Sequence, residues 1–213
     1  MKLIVGAFVS LDGVMQGPGG PDEDRDGGFD LGGWVVPYAG EDMGEFVVES
    51  ITSTDALLLG RKTYEIFAAH WPKVTDENDP IATKLNSMPK YVASRTLDKV
   101  EWNNSTMLQG DAAEAVAELK RQPGGTIQTQ GSAELIQTLI RNNLVDEYRL
   151  LVYPVVLGKG KRLFREGSVP SALRLMDTKT TSNGVAIHTY EAAGQPTFGE
   201  FEVDRDERFW RDS

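Results

Sequence analysis

The 213-residue chain reads as an α/β domain of three layers, with a mostly parallel central sheet between helices and antiparallel strands at its C-terminal end. Two observations predict this. Short runs of apolar, often β-branched residues alternate with segments of helical period up to Asn142-Asn143, the pattern of strands joined by crossover helices. Beyond that point the helical periodicity stops and hairpin signals take over, which places antiparallel strands at one edge.

In order, residues 2–9 (KLIVGAFV) read as a buried strand. Residues 10–38 are rich in Gly, Pro and Asp and read as a long loop, a length that goes with function or mobility. Residues 41–52 carry Met43, Phe46, Val47 and Ile51 at helical spacing. Ala56–Leu59 is a strand ending at Gly60, and a helix runs from Arg61 to about Ala69. A short helix over 78–87, a strand over Lys90–Ala93 and a strand at Met107-Leu108 ending at Gly110 follow. Asp111-Ala112-Ala113-Glu114 has the form of a capping box opening a helix to about Arg121. Gly124-Gly125 breaks the chain before the strand Thr126–Thr129. Gly131-Ser132 then opens a helix whose Leu135, Ile136, Leu139 and Ile140 share one face. Glu147 to Val156 is a strand, and residues 172–181 and 185–192 form a hairpin about Ser182-Asn183-Gly184. The expected domain is 1–195. Residues 196–213, with Phe198, Phe201, Phe209 and Trp210 among charges, read as a tail packing on the body or on a partner subunit.

Composition narrows the function. With 40% hydrophobic and 25% charged residues the chain is an ordinary folding sequence. The formal charge of −10 argues against nonspecific nucleic-acid binding, and no apolar run approaches the roughly 18 residues of a membrane span. The absence of cysteine excludes disulfides, thiolate catalysis and Cys-ligated metals. The first residues enter a strand directly with no signal-peptide pattern, so a cytoplasmic protein is expected.

Three strand ends carry the chemistry. At Gly60-Arg61-Lys62-Thr63 a buried strand turns into a helix whose first turn holds two cations and a hydroxyl. Helix N-termini favour phosphate through free N–H groups and the dipole, and the cations add charge-assisted bonds; alone, this is equally an ordinary basic helix start. Ser94-Arg95 follows a second strand, and Gly131-Ser132-Ala133 a third, where glycine permits close backbone approach. Gly110 ends a fourth, with Asp111 better suited to capping. Parallel strands bring these ends to one edge, so a phosphate-bearing ligand is expected there.

These residues resemble the RibD C-terminal domain family, of dihydrofolate-reductase-like fold. The likeness runs from Lys2 to about Glu191 and rests on Val9–Gly13, Gly60–Glu65, Ser94-Arg95, Gly131–Leu135, and Val145–Glu147 through Pro154–Gly160. It implies a homodimer that binds NADPH and passes hydride to a conjugated heterocycle. By the same resemblance Arg61, Lys62 and Thr63 contact the pyrophosphate and the 2′-phosphate side, Ser94 and Arg95 complete the 2′-phosphate site, and Gly131, Ser132 and Ala133 meet the pyrophosphate from the opposite side. The family often has two glycines where this chain has Gln130-Gly131.

Other motifs fail. Gly158-Lys159-Gly160-Lys161-Arg162-Leu163 lacks the third glycine of a dinucleotide fingerprint; it is a basic loop near the nicotinamide or substrate, or an exposed turn. Asp22–Gly27 matches half a calcium loop, but the twelfth position is Gly33, and the segment reads as a solvated acidic loop. His70 and His188 are far apart in sequence, so no histidine metal centre is expected.

The catalytic group is the least legible. True dihydrofolate reductases use a carboxylate on the first helix, where Glu41, Asp42, Glu45 and Glu49 compete; Glu45 and Asp12 are the candidates carried forward. Trp34, Phe67 and Trp71 are candidates to wall the heterocycle. The expected function is an NADPH-dependent reductase of a pterin- or pyrimidine-like compound. The alternatives are the riboflavin-pathway reductase acting on a phosphoribosylaminouracil, whose phosphate needs a further cationic pocket, and a dimeric nucleotide-binding sensor without turnover.

Overall fold

The computed structural model describes residues 1–200. Eight strands form one sheet: β1 (Lys2–Ser10), β2 (Ala56–Gly60), β3 (Lys90–Ala93), β4 (Ser105–Met107), β5 (Thr126–Gln130), β6 (Glu147–Tyr153), β7 (Leu173–Thr180) and β8 (Ala186–Ala192). Five helices connect them: α1 (Glu41–Thr52), α2 (Arg61–His70), α3 (Pro80–Ser87), α4 (Ala112–Arg121) and α5 (Ala133–Arg141). The strand order is β4-β3-β2-β5-β1-β6-β8-β7. Pairing is parallel from β4 through β6 and antiparallel across β6-β8-β7. This is the three-layer dihydrofolate-reductase-like architecture.

Alternation along β1 decides the two layers. Leu3, Val5, Ala7 and Val9 face Val116 and Leu119 of α4 and the apolar stripe Leu135, Ile136, Leu139 and Ile140 of α5 in one buried cluster. On the other face Leu57, Leu59 and Val92 pack with Ile51, Tyr64 and Leu85 from α1, α2 and α3. Asp111 caps α4 as its sequence indicates, accepting from the Ala113 N–H at 2.9 Å and the Glu114 N–H at 3.1 Å.

The long segment 10–38 is better packed than its composition suggests. Val14, Phe29, Trp34 and Val35 join Leu151, Tyr153, Val185 and Ile187 in a third cluster. The Trp34 indole N–H donates to the Gln16 carbonyl at 2.8 Å and its ring stands edge-on to Tyr153. Two boundaries differ from the sequence expectation. β4 lies at Ser105–Met107 because Lys90 and Tyr91 pair with Ser105 and Thr106. β6 ends at Tyr153 because Pro154 has no N–H to continue the ladder. Of the tail, Phe198 stands 89% exposed; Phe201, Phe209 and Trp210 lie outside the described residues.

Candidate functional site

The sheet opens where its central strands differ in length. β5 stops at Gln130, opposite Gly6, while β1 runs on to Ser10 paired only with β6. β2 meets β5 through Ala56 and Leu57 alone. Beyond these points lies a cleft of about 750 Å³, bordered by Gly6, Ala7 and Phe8 of β1. The turns predicted from sequence meet there: Gly60, Arg61, Lys62 and Thr63; Ser94 and Arg95; Gly110; and Gly131, Ser132 and Ala133 all line it.

Two of these turns are clasped together. The Gly60 N–H donates to Ser132 Oγ at 2.9 Å, and that hydroxyl donates to Thr63 Oγ1 at 2.6 Å. A Cβ on Gly60 would stand 2.6 Å from Ser132 Oγ, so only glycine fits. Gly131 has φ +100° and Ser132 φ +61°, a left-handed pair that swings the chain into α5. No side chain caps α5, so its first N–H groups remain available at the cleft.

The cations are held differently. Arg61 lies back along α2 against Glu65, 3.2 Å away. Arg95 is exposed, with no ion pair among the described residues. Ser94 Oγ accepts from the Thr96 and Leu97 N–H groups at 3.1 and 3.0 Å, shaping the turn that presents Arg95. Lys62 bonds Asp26 and lies 3.5 Å from Asp24.

That last contact refines the reading of residues 22–27 as a solvated loop: Asp22, Arg25, Asp26 and Gly27 are exposed, but the segment is tied to the cleft. Lys161 bonds Asp24 at 2.5 Å and Asp26 at 2.8 Å, and Asp24, Asp26, Glu23 and Lys161 all line the cleft. The acidic segment is therefore a strap along the cleft, joined to α2 on one side and to the basic segment on the other. Its pKa values reflect this. Hydrogen bonds from Lys161 and then Lys62 hold Asp26 at about 2. Burial would raise Asp24, but its bond to Lys161, the Asp26 N–H and the charges of Lys161 and Lys62 together outweigh that and lower it. Glu23 moves the other way: burial raises it, only partly offset by the Gly19 and Gly20 N–H groups.

The basic segment is not a free turn. Lys159 pairs with Asp30 at 2.6 Å, Arg162 with Asp12 at 3.2 Å and Arg165 with Glu134 at 2.7 Å, so with Lys161 all four cations of 159–165 are engaged. Asp12 is accordingly a fastener. It accepts from Ser10 Oγ (2.7 Å), the Leu157 N–H (3.0 Å) and the Gly158 N–H (2.9 Å). Burial would raise its pKa, but these bonds outweigh it and hold it at about 2. A carboxyl this acidic holds no proton at neutral pH, and it lies outside the cleft lining. Glu45 is exposed on α1 and also outside the lining, as are Trp34, in the third cluster, and Trp71, edge-on to Phe67. Of the aromatic candidates Phe67 borders the cleft. Sequence reasoning missed Glu23, Asp24 and Asp26, and had Lys161 only within a basic loop near the ligand or an exposed turn. Their signal was the opposite charge of segments 22–26 and 159–165, invisible without knowing that the two meet.

With this geometry in hand, comparison with known proteins places the chain. The model of the RibD C-terminal domain matches residues 1–187, and the chain belongs to that family. Two Bacillus subtilis proteins are similar over nearly their whole length: the uncharacterised YyaP, 33% identical with 91% of this chain and 96% of that protein covered, and YwjB, 30% identical with 90% and 98% covered. Among solved structures, a candidate riboflavin biosynthesis protein from Shewanella sp. PV-4 superposes with a TM-score of 0.66 at 22% identity, covering 91% of this chain and 99% of that one. A pyrimidine reductase-like protein from Corynebacterium diphtheriae gives 0.58 at 12% identity, covering 90% and 92%. The bifunctional deaminase and 5-amino-6-(5-phosphoribosylamino)uracil reductase of Thermotoga maritima gives 0.60 at 13% identity, covering 90% of this chain but 56% of that one. The fold is shared with all three, and family membership supports a reductase-like role. Among the described residues no helix is long and apolar enough to cross a membrane.

Proposed function

We propose that the chain is an NADPH-dependent reductase that delivers hydride to a small pterin- or pyrimidine-like heterocycle, acting as a cytoplasmic homodimer. The observation that carries this is the convergence of three strand-end turns, two of them opening helices, on one cleft. The donor set suits a dinucleotide phosphate. Uncapped N–H groups of α5 and the first turn of α2 favour anionic oxygens, Gly131 lets backbone come close, and Arg95 offers an unshared guanidinium for a 2′-phosphate. When bound, NADPH supplies the hydride.

The chain's own work is then positioning. The Ser132 clasp fixes the two phosphate-facing turns relative to each other. Ala7 and Phe8, where β1 runs on past the end of β5, line the same cleft. Glu23 is a lining carboxyl whose pKa burial raises, and we assign it to relay a proton to the acceptor. A phosphoribosyl acceptor would need cations beyond those of the cofactor site. The basic segment is paired, while Arg141 lines the cleft with no ion pair among the described residues, so the choice between a phosphorylated and an unphosphorylated acceptor is left to the turnover assay.

Titration with NADPH and NADH tests the cofactor assignment. NADPH should bind more tightly than NADH, and Arg95→Ala should weaken NADPH by about tenfold while leaving NADH nearly unchanged. Equal affinity for both nucleotides would sink it. Anaerobic NADPH oxidation against pteridines and aminopyrimidines tests turnover, with Glu23→Gln expected to slow it without changing NADPH affinity. Tight binding with no turnover on any acceptor would make the protein a sensor instead.

A further inference from the structure

The carboxylates of the strap stand where a ligand's phosphate would also be drawn. One oxygen, Asp26 Oδ2, bonds both Lys62 and Lys161, and two ammonium groups converging on a single anionic oxygen is the environment a phosphate oxygen seeks. The two lysines are not held alike. The Lys161 and Asp24 side chains are 22% and 19% exposed, whereas those of Lys62 and Asp26 are 43% and 52% exposed. Exposed pairs contribute little and are screened by salt, while better-shielded pairs are held more firmly. Lys161–Asp24 is thus the anchor of the strap and Lys62–Asp26 its exchangeable contact. Asp26 can release Lys62 without losing its charge partner, because Lys161 remains 2.8 Å away. Lys62 lies in the first turn of α2, on the cleft wall.

We infer that Asp26 is a built-in counter-ion that competes with a ligand's phosphate for Lys62, so that the strap sets how tightly the cleft takes a phosphate-bearing nucleotide. The nucleotide part rests on the reading given under Proposed function; the competition itself concerns any phosphate anion. Binding is an exchange, with the ligand oxygen taking the place of Asp26 on Lys62 while Lys161 retains both carboxylates.

Calorimetric titration of the wild type, Asp26→Asn and Asp22→Asn with inorganic pyrophosphate, NADPH and adenosine tests this. Asp26→Asn should bind pyrophosphate and NADPH about fivefold more tightly, the loss of one exposed ion-pair competitor. Asp22→Asn removes the same charge from the same strap, but Asp22 pairs with Arg25 rather than a lysine of the cleft, so it should leave both affinities nearly unaltered. Adenosine, which has no phosphate, should bind all three proteins alike. The inference is overturned if Asp26→Asn binds pyrophosphate no more tightly than wild type, if pyrophosphate binds neither, or if Asp22→Asn tightens binding equally, which would mean a general field. Tighter pyrophosphate binding with no NADPH binding to any variant would uphold the competition and reject the nucleotide reading.

Discussion

Ser132 occupies a backbone region that disfavours side chains by roughly 1–2 kcal/mol, and its hydroxyl meets two groups across the cleft in return. Strain of this kind persists where surrounding contacts over-determine it, often at ligand sites. Ser132→Ala keeps the strain, removes both bonds and leaves the Gly60 N–H without its acceptor. Urea unfolding should show a loss of about 1–3 kcal/mol, and pyrophosphate affinity should fall because the two turns are no longer tied. Ser132→Gly also removes the clasp but relieves the backbone, so its stability should lie between wild type and the alanine variant. Equal stability of all three proteins would mean the clasp does not matter. Sequence placed Ser132 at the cleft but could not show that its side chain turns toward Gly60 and Thr63. That follows from the φ of one residue and from a neighbour 69 residues away.

At the scale of elements, the strand–helix units were legible because hydrophobic period and helix caps act locally; Gly60, Asp111 and the α5 stripe were each readable within a few residues. The pairing of the strap with the basic segment was not, since Asp24 and Lys161 are 137 residues apart. β3 holds another feature that only the fold reveals. Lys90 is completely buried, its ammonium donating to the Met88 and Asn103 carbonyls at 2.8 Å each and lying 4.4 Å from the Trp102 ring centre. Burial lowers its pKa from 10.5 to about 8. The folded state therefore binds fewer protons than the unfolded chain between these values, and stability should rise with pH across that window. The gain is bounded by about 3 kcal/mol. Tyr148 and Tyr153, which burial pushes up to about 12, act in the opposite direction once the unfolded phenols ionise above 10. Unfolding free energies between pH 8 and 9.5 should climb in the wild type and stay flatter in Lys90→Met. Parallel curves would remove Lys90 as the cause.

For the whole molecule, the sheet ends in an uneven edge. One side closes with three-residue β4, while the other ends in β7, whose Leu175 and Met176 are 51% and 53% exposed. Exposed apolar surface on an outer strand is a place for a second copy to pack, and we assign the proposed homodimer to it. Light scattering should give twice the chain mass for the wild type and a monomer for Leu175→Asp with Met176→Asp. A dimer that survives both changes would lie on another face. The overall architecture was readable because alternation of strand and helix admits few topologies. The cleft's charge was not, because a net −10 says nothing about which carboxylates sit beside which lysines.

The central place of β1 also bears on how the chain reaches this state. β1 precedes both of its neighbours, β5 and β6, which are made more than a hundred residues later. Until then Leu3, Ile4, Val5 and Val9 have no sheet to enter, and contacts of such long sequence separation form slowly. A nascent chain stalled before Thr126 carries this apolar segment without its sheet partners, and unpaired apolar strands of this kind are prone to aggregate.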